Sequence, residues 1–257
     1  MNRGFPVELV YQVFSLLIAF ILVHALYVSV IRPQANSFLE QEAQRLQSDP
    51  EYVQQRSFFV VVKDYEQEAC FILMLWAFAI LGFKGRTTFR QQKLLDQDLL
   101  RLPENLPIGP EDTRELAGRI TTLPRGVQHY LLPRALLTSI ERFGATRNVQ
   151  NVSTAARDVC DSEGERMESE LSIIRYIAWA IPSVGFIGTV RGIGDALGQA
   201  HRAVEGDITG VTSSLGVAFN STFIALVISI VLMFFIHQLQ LMQERLVLDS
   251  ERYVDRW

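Results

Sequence analysis

Apolar residues in this chain gather into four long blocks, and the charges lie between them. The blocks run from about Leu9 to Ile31, Ala69 to Phe83, Ile173 to Ile193 and Leu215 to Ile236. A bilayer core takes roughly 20 apolar residues in one helix. The pattern therefore predicts an all-α polytopic membrane protein with four transmembrane helices. The first block is too long for a cleaved leader, and it runs into Arg32-Pro33 with no small-x-small site after it. The second block is short, and the apolar stretch Phe58 to Val62 is expected to extend it at its outer end. The resulting division is 1–32 for the first spanning helix, 33–66 for a loop and 67–84 for the second span. A helical segment follows at 85–172, then the third span at 173–193, a link at 194–212, the fourth span at 213–237 and a helical tail at 238–257.

The polar stretches carry their own patterns. Phe38, Leu39, Glu40, Ala43 and Leu46 predict a short amphipathic helix, and Asp49-Pro50 predicts a turn after it. The segment from 84 to 172 is punctuated by Pro103, Pro107, Pro110, Pro124 and Pro133. Helices are expected at 88–101, 111–120, 130–144 and 150–172. This reads as a helical extension of the membrane helices, too small and too broken for an enzyme domain. After the fourth block, Leu239, Met242, Leu246 and Tyr253 keep a helical period with charges on the other side. The fourth helix is expected to continue as a tail.

Charge adds an orientation. Lys84, Arg86, Arg90 and Lys93 follow the second block, Arg157, Arg166 and Arg175 precede or open the third, and Arg245, Arg252 and Arg256 follow the fourth. The loop at 33–66 has Arg45, Arg56 and Lys63, outnumbered by acids. The positive-inside rule then places both termini and the 85–172 segment in the cytoplasm, with the 33–66 loop and the 194–212 link outside. Arg32, Arg191 and Arg202 run against that trend. The net charge of −4 offers no basic excess for nucleic acid. The two cysteines, Cys70 and Cys160, form no metal or redox spacing and read as single thiols. His24 interrupts the first block. It is either a proton relay or a polar group near one end that faces another helix.

The last two blocks carry a further pattern. Ala178, Pro182, Gly185, Thr189, Gly192 and Ala196 follow one another at alternating helical steps and share one face. Gly188 and Gly192 also form GxxxG, and such small residues let membrane helices approach closely. Pro182 frees a backbone carbonyl that needs a partner or water within the bundle. In the fourth block Ser214, Ala218, Ser221, Thr222, Ala225 and Ser229 share a stripe, and Asn220 is a further polar group at depth. Two such faces suit either plain helix packing or a narrow polar path lined by Thr189 and Thr222. Geometry alone favours packing.

These stretches resemble a known family. Pro182-Ser-Val-Gly-Phe-Ile-Gly-Thr-Val-Arg-Gly192 is similar to the penultimate-helix pattern of MotA/TolQ/ExbB proteins. Gly216-Val-Ala-Phe-Asn-Ser-Thr-Phe-Ile-Ala-Leu226 resembles their last-helix pattern. The four spans look MotA-like, whereas the pore hairpin looks closer to ExbB. The resemblance implies a homo-oligomer, a ring of five subunits in the bacterial inner membrane around two copies of a single-helix MotB-, TolR- or ExbD-like partner. A partner aspartate would carry a proton, or sodium in some members, and no bound cofactor is implied. Thr189 and Thr222, with Ser221 and Asn220 beside them, would line the ion path. Pro182 would be the kink, and Gly185, Gly188, Gly192, Ala218 and Ala225 the packing residues. Arg191 departs from the pattern, and is expected either to snorkel outward or to pair with Asp195 one turn on. Val217 stands where ExbB-type proteins can carry a glutamate. The loads such motors drive are flagellar rotation, outer-membrane transport, gliding and phage defence. A non-conducting scaffold or receptor of the same fold is the alternative. No GxSxG, HExxH or paired intramembrane aspartates support an enzyme.

Overall fold

The computed structural model describes residues 7–48, 55, 57–100, 109 and 111–256. The Asp49-Pro50 turn, Arg56, Arg101, Pro103, Pro107 and Pro110 lie outside the described residues. Every regular element among the described residues is helical. Four helical stretches are long and apolar enough to cross a membrane: Leu9–Leu46, Tyr65–Leu95, Val149–Gly198 and Thr209–Asp255. The described chain forms two compact units, one from residues 1–81 and 173–235, the other from 82–172 and 236–257.

In the first unit, α1 (Val7–Leu26) passes through a π turn (Tyr27–Ile31) directly into α2 (Arg32–Ser48). Arg32-Pro33 therefore does not end the helix. A proline has no amide to donate and crowds the carbonyl one turn back. The wider turn absorbs both, with the Arg32 amide donating to the Tyr27 carbonyl rather than to the next one along. Ala19, Val23, Tyr27, Ile31 and Ala35 form one narrow buried stripe. Phe14, Ile18, Ile21 and Leu22 on the other faces are exposed, as lipid-facing residues are. Trp76 Nε1 donates to the Gln12 carbonyl at 2.9 Å and the Tyr11 hydroxyl to that of Ala79 at 3.1 Å, which joins α1 to the second spanning helix.

That second helix corrects the expected boundary. Phe58–Val62 forms a separate short helix, α3, and α4 begins at Tyr65 and runs unbroken to Leu95. Lys63 and Asp64 separate the two, and the Asp64 carbonyl accepts the Glu68 amide to open α4. The apolar residues of α3 thus do not lengthen the span. The polar residues Glu66, Gln67 and Glu68 begin it instead, two of them buried. The third spanning helix is α9 (Ser172–Gly198), with Pro182 inside it. A short α10 (Ala200–Val204) leads to α11 (Thr209–Asp255), a single helix of 47 residues that continues well past Ile236.

The second unit contains α5 (Thr113–Thr121), α6 (Arg125–Gln128), α7 (Leu131–Thr146) and α8 (Val149–Glu170), with the ends of α4 and α11. Its core is Leu116, Ile120, Leu131, Leu132, Leu136, Cys160, Met167 and Leu246 among others. Pro133 lies buried within the first turn of α7, where a missing amide costs no helical bond. The α7–α8 connection is tight. Arg147 takes a left-handed conformation (φ 51°), and Asn148 caps α8 by accepting the Gln150 amide at 2.9 Å. Charged groups are paired: Lys84 with Glu170 at 2.6 Å, and buried Glu163 with Arg134 at 2.9 Å and with Arg166.

Cys160 is fully buried in this core, and burial pushes its thiol up to about 11. Cys70 is equally enclosed. Since only the thiolate is nucleophilic, neither thiol of the folded protein should react measurably with iodoacetamide at pH 8. Both should react within minutes in denaturant, as mass spectrometry of the labelled chain would show.

Candidate functional site

The two small-residue faces predicted for the last helices meet in the first unit. Gly185, Gly188 and Gly192 of α9 are buried against α11. A methyl group on Gly192 would fall 2.7 Å from the Ser214 carbonyl oxygen and 2.8 Å from Ala218 Cβ. On Gly188 it would lie 2.5 Å from Ser221 Cβ, and on Gly185 2.4 Å from Ala225 Cβ. These separations are below any van der Waals contact, so only glycine permits this approach of backbone to backbone. Gly194, on the opposite side of α9, has open space around it. The facing residues of α11 are Ala218, Ser221 and Ala225, all buried.

Close approach brings polar groups together. The Thr189 and Thr222 hydroxyls are in direct hydrogen-bond contact. Thr189 Oγ1 lies 3.0 Å from the Ala218 carbonyl oxygen, and Thr222 Oγ1 lies 3.2 Å from that of Gly185. Each threonine thus reaches across to the other helix's backbone. Each hydroxyl has one proton and two lone pairs. With the protons directed at carbonyls or at each other, oxygen lone pairs remain free to accept from water or to contact a cation.

Pro182 finds its compensation here too. Its missing amide leaves the Ala178 carbonyl without the usual intrahelical partner. The Ser229 hydroxyl of α11 donates to that carbonyl at 3.0 Å. The predicted need for a partner is met by a side chain on the predicted stripe.

The three consecutive polar residues of α11 part company. Thr222 joins Thr189 and Ser221 turns to α4, where Gln67 Nε2 lies 3.5 Å from its Oγ. Asn220 is half-buried and takes no part in the threonine cluster. Successive helical residues point about 100° apart, so these three cannot share a face.

Arg191 corrects a second expectation. It neither snorkels outward nor pairs with Asp195. Its Nε and Nη2 form two parallel bonds, of 2.7 and 2.8 Å, with the Glu66 carboxylate of α4. A bidentate pair of this kind fixes both partners in orientation. Glu68, one turn from Asp64 on α4, accepts from Arg32 and lies 2.6 Å from His24 Nδ1. His24 thus faces another helix, with its ring stacked on Phe20 at 5.5 Å. Arg32 also lies over the Tyr65 ring, 4.4 Å from its centre. Two of the three arginines that opposed the charge trend are therefore neutralised by α4 carboxylates. Sequence reading missed Glu66, Gln67 and Glu68 as parts of the site. Their one signal was three polar residues in a row at the mouth of an apolar helix.

Residues 128–252 match the sequence model of the MotA/TolQ/ExbB proton channel family. Over this stretch, just under half of the chain, the sequence is similar to that family. The stretch contains α9, α11 as far as Arg252 and the threonine pair. The four apolar helices and the channel family together make the chain a multi-pass membrane protein. No curated protein and no solved structure matches it.

The helix contact has direct consequences. Gly188→Ala should destabilise the folded protein by about 1–3 kcal/mol, the cost of forcing a methyl group into a filled contact, whereas Gly194→Ala should be neutral. Ser229→Ala should cost about 1–2 kcal/mol by leaving the Ala178 carbonyl unpaired. Thermal unfolding of the detergent-solubilised variants would measure all three.

Proposed function

We propose that this chain is the ion-conducting ring subunit of an inner-membrane motor complex. The threonine pair carries the reading. Thr189 and Thr222 come from the two helices of the family segment and meet where the glycines of α9 bring the two backbones together. In a bilayer such groups are retained where they bond one another or line a polar path. Here they bond one another and the facing backbone carbonyls, and the lone pairs that remain suit a proton on water or sodium.

Neither α9 before Asp195 nor α11 before Glu244 contains a carboxylate. The carboxylates of α4, Glu66 and Glu68, are paired with Arg191, Arg32 and His24, so the charge carrier in this reading comes from elsewhere. A single-helix partner with a membrane aspartate supplies one, and five copies of this chain around two partner helices form the enclosing ring. Ion flow between the aspartate and the threonines then drives rotation of one part against the other. The Lys and Arg distribution supports cytoplasmic termini, a cytoplasmic second unit and α3 outside. Ser221 and Asn220 belong to the neighbourhood of the path rather than to the threonine contact, and Pro182 with its Ser229 partner shapes α9 beside it.

Thr222→Val keeps the shape of the side chain and removes its hydroxyl. In vesicles containing the complex and its partner, it should cut proton or sodium flux at least tenfold while the complex keeps its size on a detergent column. Unchanged flux would remove Thr222 from the path. Absence of flux from the unsubstituted complex would favour a scaffold of the same fold.

A further inference from the structure

Beside the threonine pair, α4 presents a buried amide whose bonding is incomplete. Gln67 is fully buried. Its Nε2 donates to the Val61 carbonyl at 3.1 Å and approaches Ser221 Oγ at 3.5 Å. Its Oε1 has no hydrogen-bond partner. The amide cannot turn over to relieve this, because Oε1 would then face the Val61 carbonyl, a second acceptor. A buried unsatisfied carbonyl oxygen costs about 1–3 kcal/mol, and such groups in folded proteins are met by a protein donor or by ordered water.

The Ser221 hydroxyl and the Glu68 amide, the donors on the residues beside Gln67, are already engaged. The Ser221 hydroxyl donates to the Val217 carbonyl at 2.8 Å. Two N–H groups of the Arg191 guanidinium are held by Glu66, and the Glu68 amide goes to the Asp64 carbonyl. Three residues before Gln67, Asp64 Oδ2 is also buried without a partner. Two oxygen acceptors near the start of one membrane helix, both lacking donors, call for a ligand that donates or is positive. Water and its protonated form have that chemistry, and water bonds two to four polar groups where it is buried.

We propose that an ordered water binds the Gln67 amide oxygen beside Ser221 and forms a second polar station behind the threonine pair, from which protons reach the path. This deepens the channel reading and rests on it. Ser221 and Thr222 are adjacent in α11, so the two stations are joined by one peptide unit and lie on different faces of the helix. Gln67 touches no transported charge directly. It acts as a positioning residue that holds the water.

Two measurements on the full complex in vesicles test the station. The first is access. Gln67→Cys should react with a small cationic thiosulfonate at least tenfold faster than the unsubstituted chain, whose two thiols are buried; Tyr65→Cys, at an exposed position, is the positive control. A Gln67→Cys chain that stays unlabelled while the control reacts overturns the water site. The second is proton flux. Gln67→Met removes the unsatisfied acceptor at similar volume, so a purely structural Gln67 predicts equal or greater stability and unchanged flux. The station predicts at least a tenfold loss of flux with assembly intact, and recovery of flux with a new pH dependence in Gln67→Glu. Unchanged flux in Gln67→Met overturns the station. If the unsubstituted complex carries no ions, the channel reading fails, and labelling alone then decides whether water binds Gln67.

Discussion

The backbone approach of α9 and α11 is the constraint on which the site depends. In lipid, apolar side chains gain little by meeting one another, so contact must come from fit and from hydrogen bonds. Gly185, Gly188 and Gly192 provide the fit, since a single added carbon at any of them would overlap α11. Once the backbones are this close, hydroxyls on one helix reach carbonyls of the other. Thr189, Thr222 and Ser229 all do so. Widening the contact would therefore undo the polar arrangement as well as the packing.

The same logic accounts for the proline. A proline within a membrane helix leaves an unmet carbonyl in a medium with no water to satisfy it. Ser229 meets the one left by Pro182. The π turn before Pro33 solves the corresponding problem in the first spanning helix by another route, changing the hydrogen-bond spacing rather than recruiting a side chain. One helix continues through the π turn into α2, and the other is tied to its neighbour at the point where its own ladder is interrupted.

Charges near the start of α4 organise the same end of the unit. Glu66 and Glu68 hold Arg191, Arg32 and His24, which come from α9, α2 and α1. Between these carboxylates lies Gln67, directed at Ser221. The N-terminal turn of α4 therefore links the first helix, the proline-containing helix and the last helix through polar contacts, while the rest of α4 contributes apolar surface.

Much of this was legible in the amino-acid order. Four apolar blocks separated by charge require a helical membrane protein, because only helices satisfy every backbone group within a single spanning segment. The spacing of small residues was enough to place Ala178, Gly185, Thr189 and Gly192 on one face, since helical period depends only on the chain. The two motifs, Pro182 to Gly192 and Gly216 to Leu226, carried the family resemblance. Tertiary structure decided the rest. Arg191 pairs with Glu66, 125 residues away in sequence, rather than with Asp195 on its own helix. Asn220 stands apart from Thr222 although only one residue lies between them, because the helix turns its side chain to another side. The start of the second span depended on Asp64 ending α3 and opening α4, where hydrophobicity alone ran the two together. Local periodicity is set by covalent geometry, but partners drawn from distant segments exist only after the helices have packed.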